Sequence, residues 1–173
     1  DLGRAQFAQG HAAQQHRHQA TAVALVKDLV SIPAEWLGPA DVAARAVEAV
    51  QGLPVTVEVL DEAALEEGGY GGILGIGQGS DRPPRLVRLD YSPEGATRHV
   101  ALVGKGITFD TGGLDIKPSS GMLTMKRDMS GAAAVLATMA ALDDVGCRVR
   151  VVGLLPCAEN AIGATAMRPG DVV

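Results

Sequence analysis

Lys105, Asp110, Lys117 and Asp128 fall in one glycine-rich stretch: Gly104-Lys105-Gly106-Ile107-Thr108-Phe109-Asp110-Thr111-Gly112-Gly113, then Lys117-Pro118, then Lys126-Arg127-Asp128-Met129. Carboxylates suit divalent cations, so a loop that gathers Asp110 and Asp128 has the chemistry to hold a pair of ions of borderline hardness, Zn²⁺ or Mn²⁺. The same four charges would also make ordinary surface ion pairs, and spacing alone leaves both readings open. Phosphate binding is excluded more firmly. A P-loop needs Ser or Thr directly after its Lys, and that position holds Gly106. Gly75, Gly77 and Gly79 would suit a dinucleotide turn, but Arg82-Pro83-Pro84 stands where its helix would have to open.

The elements that must position these residues are read from apolar periodicity. Residues 1 to 19, rich in Gln, His and Ala, read as a linker or a solvated helix end, and His11, His16 and His18 within them as solvated side chains rather than a metal site. Val23, Leu25, Val26, Leu29 and Val30 recur at helical spacing until Pro33. Pro39 opens a second helix that runs towards Gly52, Val55 to Leu60 reads as a strand, and Asp61 caps a short helix through Glu67. Strands are expected at Gly72 to Ile76 and Arg85 to Tyr91, and Trp36 is expected to be a packing anchor. Val100 to Val103 is a continuous apolar run, the pattern of a strand covered on both faces, and is expected to be interior. After the glycine-rich loop, Gly131 to Leu142 reads as an Ala-rich helix. Val149 to Leu155 reads as a second interior strand, ended by Pro156. The two strands should be neighbours, with the helix crossing between them and the charged loop at their carboxyl ends. The fold class is α/β, a mixed and largely buried sheet with helices on both faces.

Composition narrows the function classes. An apolar content of 47% against 20% charged describes a globular domain, and with 3% aromatic residues its core must be built from small side chains. A net charge of -5 argues against nucleic acid as the main ligand. No apolar run approaches the roughly 18 residues that cross a bilayer, and no signal peptide is visible, so a cytoplasmic location is the expectation. Cys147 and Cys157 flank an extended run that would hold them roughly 30 Å apart, too far for a disulfide, so free and inert thiols are expected.

Ile116-Lys117-Pro118, Met125-Lys126-Arg127-Asp128-Met129-Ser130-Gly131-Ala132-Ala133 and the stretch from Leu102 to Gly113 together resemble the leucyl aminopeptidase (cytosol aminopeptidase) family. Asp28-Leu29-Val30, Gly77-Gln78-Gly79-Ser80, Pro83-Pro84-Arg85-Leu86, Glu159-Asn160 and Arg168-Pro169-Gly170-Asp171-Val172-Val173 extend the resemblance over residues 22 to 173. It implies a two-metal exopeptidase that removes an N-terminal residue, preferably apolar, from peptides, and a homo-hexamer. By the same resemblance Lys105, Asp110 and Asp128 are metal ligands, with the Asp110 carboxylate bridging both ions. Lys117 is the catalytic lysine, also in contact with substrate, and Met125 touches the first side chain of the substrate. A ligating lysine must be a neutral amine, which an adjacent cation favours. Lys117, away from the metal, can stay cationic and stabilise an oxyanion.

The resemblance also marks what is lacking. The family takes an Asp, a Glu and an Arg from an Asn-Thr-Asp-Ala-Glu-Gly-Arg segment just beyond the point where this chain stops. Two divalent ions carry four positive charges, of which Asp110 and Asp128 offset two. Residues 1–19 are thus expected to follow an absent N-terminal domain, and 20–173 to be the N-terminal portion of a catalytic α/β domain without its C-terminal part. The alternative is a non-catalytic family member kept for assembly or binding, although such a protein has no need of all four charged residues.

Overall fold

The computed structural model describes the backbone of residues 2–173 and the side chains of residues 16–173. Its sheet contains β1 (Val55–Leu60), β2 (Arg85–Tyr91), β3 (His99–Val103), β4 (Gly106–Asp110) and β5 (Arg150–Asn160), in the order β1-β2-β5-β3 with β4 also pairing β5. β1 and β5 lie antiparallel to β2, whereas β3 and β4 lie parallel to β5. Val103 pairs with Leu154 and Gly106 with Cys157, so β3 and β4 run in tandem along one edge of β5 with a break at Gly104-Lys105. The fold is mixed α/β.

Side chains alternate across a strand, which divides β5 between two helical layers. Val151, Leu155 and Cys157 join Val87, Leu89 and Tyr91 of β2 in the main core. That core is completed by Leu29 of α1 (Leu2–Ser31), Val42 and Ala46 of α2 (Pro39–Ala49), and Ala132, Leu136 and Met139 of α6 (Ser130–Ala141). The Ala-rich face of α6 comes so close to the sheet that a Cβ on Gly153 would lie 2.8 Å from Met139 Cγ. On the opposite face, Pro156, Ala158 and Asn160 look towards α4 (Gly71–Gly77). Asp61 caps α3 (Glu62–Glu67) by accepting the Ala64 N–H at 3.0 Å.

Several expectations need correction. Gly72 to Ile76 is part of α4, not a strand. Its glycines serve packing: a Cβ on Gly75 would meet Val173 Cγ1 at 3.0 Å, and one on Gly77 would meet Pro84 at 3.2 Å. Neither contact is visible locally. β5 is interior as expected, but β3 is at the sheet edge, with Val100 48% and Val103 68% exposed. A continuous apolar run reports side chains that favour cover, and among the described residues no element lies on the outer side of β3 to supply it. β5 also continues through Pro156 to Asn160. Leu154 C=O accepts the Gly104 N–H at 2.9 Å; Pro156, two residues on, faces the same edge, where its missing N–H falls opposite the break between β3 and β4. Trp36 is 71% exposed and anchors no packing.

The helix preceding Pro33 begins at Leu2 and continues to Ser31. His16 and His99 are exposed; His18 is half-buried, with Nδ1 2.7 Å from Asp144 Oδ2, and the His11 side chain lies outside the described residues. Both cysteines are free, and burial pushes the Cys157 thiol up to about 12, which leaves it inert.

On the outer face of β2, Arg150 Nε donates to Asp90 Oδ1 at 3.1 Å and Arg88 lies within 3.6 Å of the same carboxylate. The Arg150 hydrogen bond, outweighing desolvation, holds Asp90 below the 3.8 of a free aspartate. A carboxyl whose folded pKa is depressed contributes stability above its unfolded pKa and loses it as pH falls through the folded one. Asp90→Asn should therefore lower the urea midpoint at pH 7, and the gap to the parent chain should close on acidification below about pH 4. A gap that stays constant down to pH 2 would rule out the Asp90 charge as its source.

Candidate active site

Asp110 and Asn160 end β4 and β5 as register partners, so both side chains stand at the carboxyl ends of neighbouring parallel strands, the usual ligand position of open α/β sheets. The loop that follows is turned back on itself. Thr111 donates its N–H and its Oγ1 hydroxyl to Asn160 C=O at 2.9 and 2.8 Å, and Lys117 N–H donates to Thr111 C=O at 2.9 Å. Gly112 permits this with φ +89°, where a Cβ would lie 2.4 Å from Asp115 C=O. The result brings Lys117 Nζ to 2.8 Å from Asp110 Oδ2. Asp110 Oδ1 accepts from Gly112 N–H at 2.9 Å and from Asn160 Nδ2 at 2.8 Å.

Burial pushes the Asp110 carboxyl up, but the hydrogen bonds from Lys117, Gly112 and Asn160 together with the lysine charge outweigh it and hold the pKa below the ordinary value. Lys117 is raised, first by its hydrogen bond to Asp110 and further by the charges of Asp110, Asp128 and Asp115. Lys117 is therefore cationic in this arrangement.

The second pair comes from the break between β3 and β4 and from the residues ahead of α6. A 3₁₀ turn, Met125–Arg127, packs against β4 and delivers Asp128, whose N–H donates to Met125 C=O at 3.2 Å. Lys105 C=O accepts the Ala132 N–H at 2.9 Å, which fixes the α6 N-terminus against Lys105. Lys105 Nζ then lies 2.8 Å from Asp128 Oδ2. The contact has ion-pair distance without hydrogen-bond geometry, and this oxygen is buried with no hydrogen-bond donor. A buried carboxylate oxygen whose neighbouring ammonium is poorly aligned for a hydrogen bond is costly, and it fits a cation. Among the described residues no three His, Cys, Asp or Glu side chains gather for a metal.

All five residues singled out from the sequence are thus placed: Asp110 with Lys117, Lys105 with Asp128, and Met125 half-buried one turn before Asp128. A cavity of about 390 Å³ adjoins Lys105, Asp110 and Asn160, walled by Ile73, Ile76, Ile107 and Ala158. Met125 is not part of its lining. Asn160 is the contact that sequence reading left without a role. The β-branched pair Ile107-Thr108 inside the glycine-rich loop was the one signal for β4, and hence for the Asp110–Asn160 pairing.

The chain is 57% identical over 154 residues to the probable cytosol aminopeptidase of Leifsonia xyli subsp. xyli, covering 89% of this chain and 31% of that protein. The cytosol aminopeptidase from Coxiella burnetii superposes with a TM-score of 0.87 at 38% identity, over 92% of this chain and 35% of that one. The bottromycin maturation enzyme BotP in complex with Mn superposes with a TM-score of 0.85 at 46% identity, over 90% and 34% of the two chains. The chain thus spans about a third of the length of the relatives it matches. The fold is of the class found in aminopeptidase catalytic domains. The chain belongs to the cytosol aminopeptidase family, whose catalytic domain matches residues 24–173. No helix among the described residues is long and apolar enough to cross a membrane.

Proposed function

We propose that this chain is the N-terminal portion, from about residue 20, of the catalytic domain of a longer metal-dependent aminopeptidase, which releases the N-terminal residue of peptides with a preference for apolar ones. The observation that carries the reading is the buried Asp128 Oδ2, which faces Lys105 without a hydrogen-bond donor. Lys105, Asp110 and Asp128 would hold two divalent ions, Zn²⁺ or Mn²⁺, with the remaining donors supplied by sequence beyond Val173. When bound, the ions would supply Lewis acidity and activation of water at neutral pH. Lys117 would place its ammonium at the oxyanion that develops on the scissile carbonyl, and Met125 would contact the first side chain of the peptide. The names of the relatives support a cytoplasmic enzyme, and a homo-hexamer is the assembly we assign to the full-length protein. A purely structural or binding role has less support, because it leaves the paired lysines and aspartates without a purpose.

A peptidase assay of the full-length protein on aminoacyl amides, with and without chelator, tests the activity; failure to hydrolyse them in the presence of Zn²⁺ or Mn²⁺ would overturn it. The 173-residue chain alone should be inactive on the same substrates and should retain fewer than two ions per chain after dialysis, because it lacks the Asp and Glu ligands that the family resemblance implies. Two tightly held ions in that chain would mean that the ligand set is wrong.

A further inference from the structure

The two oxygens of the Asp110 carboxylate are held very differently. Oδ1 accepts two neutral donors, Gly112 N–H at 2.9 Å and Asn160 Nδ2 at 2.8 Å, which together use both of its lone-pair directions. Among the described residues Oδ2 has only the Lys117 ammonium, at the end of a long side chain that is 32% exposed. The donors on Oδ1 are fixed: Asn160 is the β5 register partner of Asp110, and its own C=O is clamped by the N–H and hydroxyl of Thr111. Its neighbour Glu159 is anchored by Ser80 Oγ, which itself accepts the Arg82 N–H. One oxygen is therefore set by the scaffold, and the other can exchange its partner.

We propose that Asn160 is a positioning residue that locks the orientation of the Asp110 carboxylate, so that Oδ2 is presented towards a metal ion in place of the Lys117 ammonium. An amide suits the task because it donates without adding charge. A lysine or arginine there would compete with the ion, and an aspartate would repel Asp110. The inference rests on Asp110 being a metal ligand, as argued above. Residues that orient a ligating carboxylate typically contribute 10- to 100-fold to metal affinity or activity.

The test is calorimetric titration of Mn²⁺ alone into the metal-free full-length protein and into Asn160→Asp and Asn160→Ala, with kcat, KM and the melting temperature of the metal-free form measured alongside. Asn160→Asp preserves shape but replaces the donor with a charge that repels Asp110, and Asn160→Ala removes the donor without adding charge. Both variants should bind Mn²⁺ roughly 10- to 100-fold more weakly and lose kcat with little change in KM, while the metal-free melting temperature of at least one stays near that of the parent. If neither variant folds, Asn160→Ser, which keeps a hydroxyl donor, takes their place, and its expected loss of affinity is about ten-fold or less. Variants that bind Mn²⁺ as tightly as the parent would overturn the positioning role alone. Loss of affinity only in step with loss of melting temperature would reduce Asn160 to a structural residue. A parent protein that binds no Mn²⁺ would instead overturn the assignment of Asp110 itself.

Discussion

Lys117→Ala in the full-length enzyme is expected to lower kcat by roughly 10²- to 10³-fold while leaving bound metal unchanged. The expectation follows from where the ammonium sits. It is 2.8 Å from Asp110 Oδ2, beside the carboxylates and on a loop tied back to Thr111. A cation in that place interacts most strongly with charge that develops during reaction, and its removal takes no donor from a metal. Lys105→Ala should behave differently. Its amine stands against the orphaned Asp128 oxygen, so truncation should reduce metal occupancy itself, and kcat should fall in proportion to lost metal. Measuring kcat, KM and metal content for both variants separates the two lysines. A Lys117→Ala enzyme with near-normal kcat would rule out its catalytic role.

Gly104→Ala should destabilise the chain by roughly 3 kcal/mol or more, near the upper end of what overpacking costs. A Cβ at this position would lie 2.3 Å from Gly131 C=O and 2.8 Å from Ala132 Cα. These are backbone atoms of the α6 N-terminus and cannot rotate aside. Relief requires α6 to separate from the break between β3 and β4, which would also cost the hydrogen bond from Ala132 N–H to Lys105 C=O. Lys105 and Asp128 would then part, so metal affinity in the full-length protein should fall with stability. Gly72→Ala is the matched control, since nothing lies within 4 Å of its Cβ position. There alanine should stabilise α4 by up to about 1 kcal/mol. Equal urea midpoints for Gly104→Ala and the parent chain would show that the close approach is not maintained in solution.

What was legible in the sequence is what local chemistry encodes. Val55–Leu60 and Arg85–Tyr91 alternate or carry β-branched residues and are strands with the expected bounds, Asp61 caps the helix it precedes, and the Ala-rich segment after Gly131 is a helix pressed on the sheet. The four charged residues and their order were legible too, because side-chain chemistry is carried by residue type and the surrounding motif is long enough to identify the family. The tertiary structure decided matters that depend on partners distant in the chain. Gly71–Gly77 is a helix whose Gly75 and Gly77 lie against Val173 and Pro84, contacts that the segment itself does not show. Pro156 sits inside β5 because its missing N–H faces a gap between two other strands. Val100–Val103 is an edge because, among the described residues, no strand pairs with β3 on the side away from β5, whatever its own apolarity favours. The Asp110–Asn160 contact arises from strand register across 50 residues, and register is a property of the pair that no single segment contains.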